Sequence, residues 1–151
     1  MIKHFNYYLT GTGWAEVFFS NEKENIRFDI SYLSNPISDL INGLLRMFNR
    51  QSETEKIDFY EEPGKHFLTI TNYDTDSLTI QIYWSDSWEE SINSTRKLLY
   101  SDNDTLSNFS KIVCSGIDSL LERHTLKEYK ERWVEHEFPN ESFNELKQKL
   151  V

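Results

Sequence analysis

Apolar and polar positions alternate with a period of two from Ile26 to Tyr32. Ile26, Phe28, Ile30 and Tyr32 share one face, and Arg27, Asp29 and Ser31 share the other. A half-buried β-strand requires this alternation. The period then changes abruptly. Ile37, Leu40, Ile41, Leu44, Leu45 and Phe48 recur at helical spacing, in a stripe wide enough to lie flat on a sheet. Asn35 suits the N-cap, and Pro36 suits the first helical position, where its missing N–H costs nothing. Asp39 falls in the first turn, where the helix dipole favours a negative charge. A strand therefore runs directly into a helix that folds back over it.

The same reading extends along the chain. Residues 4–10 and 14–20 predict two strands around Thr10–Gly13. In the second, Trp14, Glu16 and Phe18 face one way and Ala15, Val17 and Phe19 the other. Neither face is cleanly polar, so cover on both sides is expected. Residues 55–62 and 65–72 predict a hairpin about Glu62-Pro63-Gly64-Lys65, a sequence suited to a type II turn. Leu78, Ile80, Ile82 and Trp84 line one face of the next strand. Thr95–Ser101 reads as a further strand, although residues 96–100 also fit a helix. Asp104 or Thr105 caps a long helix with Leu106, Phe109, Val113, Ile117 and Leu120 on its buried side. Leu126, Tyr129 and Trp133 share one face of a short helix that Phe138-Pro139 breaks. Asn140 caps a last helix carrying Phe143, Leu146 and Leu150.

This order predicts a single α+β domain over residues 1–151. Its sheet is mostly antiparallel and twisted, with about six to seven strands. One helix follows the third strand, and a helical C-terminal third packs on the sheet.

Composition adds the material of the core. Aromatic residues make up 15% of the chain, with 10 Phe, 8 Tyr and 4 Trp, so rings are expected to dominate the interior. Lys and Arg number 16 against 25 Asp and Glu, a net charge of −9. A surface of that sign repels phosphate backbones and anionic lipid, which argues against nucleic-acid and membrane partners and favours a basic protein. The start, Met1-Ile-Lys-His-Phe5, holds no apolar run of signal-peptide length, and no run approaches the roughly 18 residues of a membrane span. A cytoplasmic location is expected.

Candidate chemistry is sparse. Gly11-Thr-Gly13 lacks the third glycine of a dinucleotide fingerprint and opens a strand, so it offers no helix N-terminus to a pyrophosphate. His4, His66, His124 and His136 stand at no metal-ligand spacing, and Cys114 has no C-x-x-C partner, so no metal and no cofactor is expected. Cys114 falls among apolar helix positions, as a buried thiol does and a nucleophile does not. The pairs Glu61-Glu62 and Glu89-Glu90 sit on turns where water keeps both carboxylates ordinary, unlike a general acid–base pair. No catalytic residue is assigned.

One segment suggests contact with another protein. In Tyr83-Trp-Ser-Asp-Ser-Trp-Glu-Glu90, two indoles and a phenol stand beside Asp86, Glu89 and Glu90. Trp84, Trp88, Glu89 and Glu90 are the candidate contacts for a basic partner, since rings anchor interfaces and acids steer basic surfaces. The alternative is that both indoles close the edge of the core.

The elements Trp14-Ala-Glu-Val-x-Phe19, Ser31-Tyr-Leu-Ser-x-Pro36-x-x-Asp-Leu40, Glu62-Pro-Gly64 and Glu128-Tyr-Lys-x-x-Trp133 resemble those of a set of small bacterial α+β proteins with no assigned activity. The similarity runs from the second strand to Pro139. In size, charge and style the chain also resembles immunity proteins of polymorphic toxin systems. That resemblance implies a non-enzymatic interaction module that masks a basic toxin. The alternative expectation is a small-molecule-binding protein or enzyme whose site is assembled from distant strands, with Arg27, Asp29 and Ser31 supplying polar groups and His66 or His136 beside carboxylates.

Overall fold

In the computed structural model, residues 1–73, 76–89 and 94–151 are described. The chain is α+β, as expected, but the seven strands among the described residues form two antiparallel sheets rather than one. The first holds β1 (His4–Gly11), β2 (Trp14–Ser20) and β3 (Asn25–Ser31) in that order. Helix α1 (Pro36–Phe48) follows. The second sheet holds β4 (Thr54–Tyr60), β5 (Lys65–Asn72), β6 (Ser77–Ser85) and β7 (Arg96–Thr105), again in chain order. Helices α2 (Leu106–Arg123), α3 (Leu126–Arg132) and α4 (Asn140–Gln148) close the chain.

The split has a local cause. The chain leaves β3 through a loop into α1, so β4 returns beside β3 without laddering to it. Side chains make the junction instead: the Ser31 hydroxyl donates to the Tyr60 carbonyl at 3.2 Å, and the Tyr60 N–H donates to the Ser34 hydroxyl at 3.0 Å. Ser31, read as an outward polar position, is buried for that reason. Phe28 binds the sheets from the core side, edge-on to Phe59 at 5.4 Å and flat against His66 at 4.0 Å.

Alternation delivers the core. Phe5, Tyr7 and Leu9 from β1, Ala15, Val17 and Phe19 from β2, and Leu78, Ile80 and Ile82 from β6 all turn inward. The expectation that β2 is covered on both faces fails. Its other face is open, with Trp14 48% exposed and Phe18 half-buried beneath the Arg27 guanidinium. Helix α1 packs on β4 and α2 packs on β1, while α4 rests on α1 and α2 rather than on a sheet.

Several local readings change. Residues 96–100 are strand, with a bulge where β7 carries one residue more than β6. Thr105 caps α2 by accepting the Asn108 N–H at 3.0 Å, while the buried Asp104 carboxylate accepts the Ile2 N–H at 3.0 Å. The N-cap of α4 is Pro139, and Asn140 is its first helical residue. At the β4–β5 turn, Gly64 does not adopt the positive φ of a type II turn; the Glu61 N–H donates to the Gly64 carbonyl at 3.0 Å, and Pro63 follows a cis bond. Gly64 is needed because a Cβ there would lie 2.2 Å from the Ser85 carbonyl oxygen.

Candidate protein-docking surface

Five connecting segments gather at one end of the molecule. They are the β1–β2 turn, the β3–α1 loop, the β4–β5 turn, the start of the β6–β7 connection and the α3–α4 loop. Polar atoms of the backbone tie them to one another. The Gly13 N–H donates to the Arg132 carbonyl at 2.6 Å, the Tyr32 N–H donates to the Gly13 carbonyl at 3.0 Å, and a His136 ring nitrogen lies 3.1 Å from the Tyr32 carbonyl.

Glu61 is the hub of this end on the second sheet. Its carboxylate accepts the Trp84 indole N–H at 3.1 Å. Its backbone carbonyl accepts the Trp88 indole N–H at 2.6 Å, and the Gly64 carbonyl shares that donor at 2.9 Å. Trp88 stacks on Tyr60 with centroids 4.7 Å apart and planes 4° from parallel. Trp84 and Trp88 are therefore both brought to the β4–β5 turn, half-buried, with their polar edges used internally. Glu89 is exposed beside them, and its backbone carbonyl accepts the Ser94 hydroxyl at 3.1 Å. Glu90 lies outside the described residues.

His66 and Glu61 form the part of this end that, among the described residues, resembles acid–base chemistry. Nδ1 of His66 lies 3.4 Å from a Glu61 oxygen, without a hydrogen bond and sealed from solvent. Burial lowers the imidazole to about 4, so it is neutral at pH 7. Burial also raises the Glu61 carboxyl, with Asp29 adding to the rise against the bond from Trp84. The Phe28 ring covers the imidazole face, so a substrate has no path to it on that side. His136 is bound to the β3–α1 loop, and Glu135 and Glu137 both lie within 3.7 Å of the Lys130 ammonium rather than with it. Arg27 pairs with Glu16 at 3.4 Å and Ser31 is consumed at the sheet junction, so the polar face of β3 does not converge on a site. Cys114 is buried in α2, where burial raises its thiol to about 12. Among the described residues, no three His, Cys, Asp or Glu side chains are grouped to hold a metal ion. Among the described residues, no helix is long and apolar enough to cross a membrane.

Sequence reasoning missed the other half of this end. Trp14, Tyr32, Leu33 and Val134 are exposed by 48%, 38%, 42% and 36%. They come from three separate segments, and their closeness is a product of folding. A Cβ on Gly13 would meet the Tyr32 ring at 2.8 Å and a Val134 methyl at 3.3 Å, so both side chains lean over that glycine. A hollow of about 310 Å³ opens there, lined by Trp14, Ser31, Tyr32, Leu33 and Glu62. Glu62 joins the two halves, because its neighbour Glu61 holds both tryptophans. The available signal was Trp14 itself, a large ring opposite a fully apolar strand face.

Several acids of this end are open to solvent. Asp29, Glu62, Asp86 and Glu89 are half-exposed or exposed. The one lysine of the adjacent strand start, Lys65, is 2% exposed and neutralised by Asp58 at 2.9 Å. Rings set among carboxylates can bury apolar area while attracting cationic side chains, which is what a docking surface for a basic protein needs. No protein-family model, no curated protein and no solved structure matches the chain.

Proposed function

We propose that this chain is a non-enzymatic interaction module of the cytoplasm, an immunity-type protein that neutralises a basic toxin by covering its surface. One observation carries the reading: the exposed rings of Trp14 and Tyr32 share one end with the exposed carboxylates of Glu62 and Glu89, on a chain of net charge −9. Acidic side chains steer association, and a few buried rings hold the complex. Trp84, Trp88 and Glu89 belong to that surface in this reading; Glu90, the fourth expected contact, lies outside the described residues. The test is co-production with the product of the gene beside its own, in cells whose growth that product arrests. Growth is restored and the two proteins co-purify if the reading is right; persistent toxicity with no complex rejects it.

A second reading, a small-molecule binder or enzyme, has one observation behind it, the contact of His66 with Glu61. The sealed Nδ1 and the Phe28 ring against the imidazole weigh against that reading.

A further inference from the structure

We infer that the hollow lined by Trp14, Tyr32 and Leu33, which Val134 borders across Gly13, is the hot spot of the complex. It takes one apolar side chain of the partner while a neighbouring Lys or Arg meets Glu62. This rests on the interaction reading above and adds where the binding energy lies: in this hollow rather than at Trp84 and Trp88.

Three observations carry it. The first is the use of the rings. The indole N–H groups of Trp84 and Trp88 are bonded inside the molecule, and Trp88 has one face on Tyr60. Trp14 is about half exposed and faces the hollow. Exposed contiguous apolar surface rimmed by polar groups marks interaction sites in soluble proteins.

The second is backbone conformation. Val134 and Glu135 lie at φ 51° and 70°, in the left-handed region. A β-branched residue there is a true outlier. The fold does not demand valine at this point, because the Glu135 N–H to Lys130 carbonyl bond at 2.9 Å ends α3 in the manner that glycine usually serves. A strained residue that glycine would relieve, and whose methyl group stands over Gly13 beside the hollow, fits selection for the surface it presents.

The third is charge. Glu62 lines the hollow and is exposed on a chain of net charge −9, while Glu135 beyond Val134 is paired with Lys130 at 3.7 Å, so Glu62 is the carboxylate that the hollow offers. An apolar anchor next to a cation is the partner chemistry that this arrangement complements.

The experiment places the photo-crosslinker p-benzoylphenylalanine at Leu33, and as a control at the exposed Leu98 of β7, in the cells that make the protein. The captured protein is identified, purified and titrated against Trp14→Ala, Val134→Gly and Trp88→Phe. The inference expects a basic protein captured from position 33 and not from 98. It also expects affinity to fall roughly 30-fold or more for Trp14→Ala and for Val134→Gly, and by less than about threefold for Trp88→Phe. Val134→Gly removes the Cβ from a left-handed position, and urea unfolding of the same sample separates a lost contact from a lost fold. A basic protein captured from position 98 alone, or bound equally by the Trp14 variant, overturns the hot spot and leaves the interaction reading standing. Capture of no basic protein from either position overturns both.

Discussion

The Glu135 N–H donates to the Lys130 carbonyl at 2.9 Å across Val134, which stands at φ 51° where helices commonly end on glycine. Replacing Val134 by Gly removes the Cβ penalty of the left-handed region. Stability is expected to hold or rise by up to about 1 kcal/mol, the loss of one exposed apolar side chain offsetting part of the gain. Urea unfolding of the variant checks this. A drop of more than about 1 kcal/mol would mean that Val134 is structural and not kept for its surface.

Trp88 offers a contrasting case. Trp88→Phe keeps a ring to stack on Tyr60 but removes the donor shared by the Glu61 and Gly64 carbonyls. A loss of about 1–2 kcal/mol is expected, the usual cost of a half-buried hydrogen bond. Hydrogen exchange should speed up at the Glu61 N–H, the donor that closes the same turn. Unchanged exchange there would show that the indole does not hold the turn.

Acid should destabilise the protein through His66. Its folded value is about 4 against an ordinary 6.5, so between those limits the unfolded chain binds the extra proton. The stabilisation is fully present above pH 6.5 and is lost as pH falls towards 4, by up to about 3 kcal/mol at 1.36 kcal/mol per unit. Glu61 acts in the opposite sense: its raised folded value favours the native state at low pH, and that contribution fades as pH rises through it. The His66 effect is isolated by comparing His66→Phe with the native protein at pH 7 and pH 5. The native protein should lose about 2 kcal/mol more than the variant. Equal losses would place the imidazole in contact with water.

Gly116 decides how closely α2 approaches β1. Helix propensity alone says that Ala should stabilise by about 1 kcal/mol. A Cβ at this position would lie 2.2 Å from the Phe5 carbonyl oxygen, and backbone cannot yield as a side chain tip can. Gly116→Ala should therefore destabilise by about 2–3 kcal/mol, measured by thermal or urea unfolding. A gain in stability would mean that the helix sits further from the strand.

Much of the fold was legible because its signals are local. Alternation from Ile26 and helical spacing from Ile37 to Phe48 each depend on near neighbours, and both elements form there, except that β3 ends at Ser31 and Tyr32, read as inward-facing, is an exposed turn residue. The division into two sheets was not legible. It depends on Ser31 and Ser34 meeting Tyr60 across the β3–α1 excursion, and no period in the sequence encodes that contact. The turn at Glu62-Pro63-Gly64 was located correctly but given the wrong geometry, since Ser85, which is distant in sequence, excludes a side chain at Gly64. The docking end was half legible for a related reason. Trp84 and Trp88 are neighbours in the chain and drew attention together. Trp14, Tyr32 and Val134 converge only through bonds between three loops.

The central claim is that an acidic, ring-bearing end recognises a basic protein, and the association rate constant measured against ionic strength tests it most directly. With the partner captured at the hollow, the rate should fall by about tenfold or more between roughly 20 mM and 300 mM salt, as opposite charges lose their reach. A rate indifferent to salt, or one that rises with it, would contradict the account.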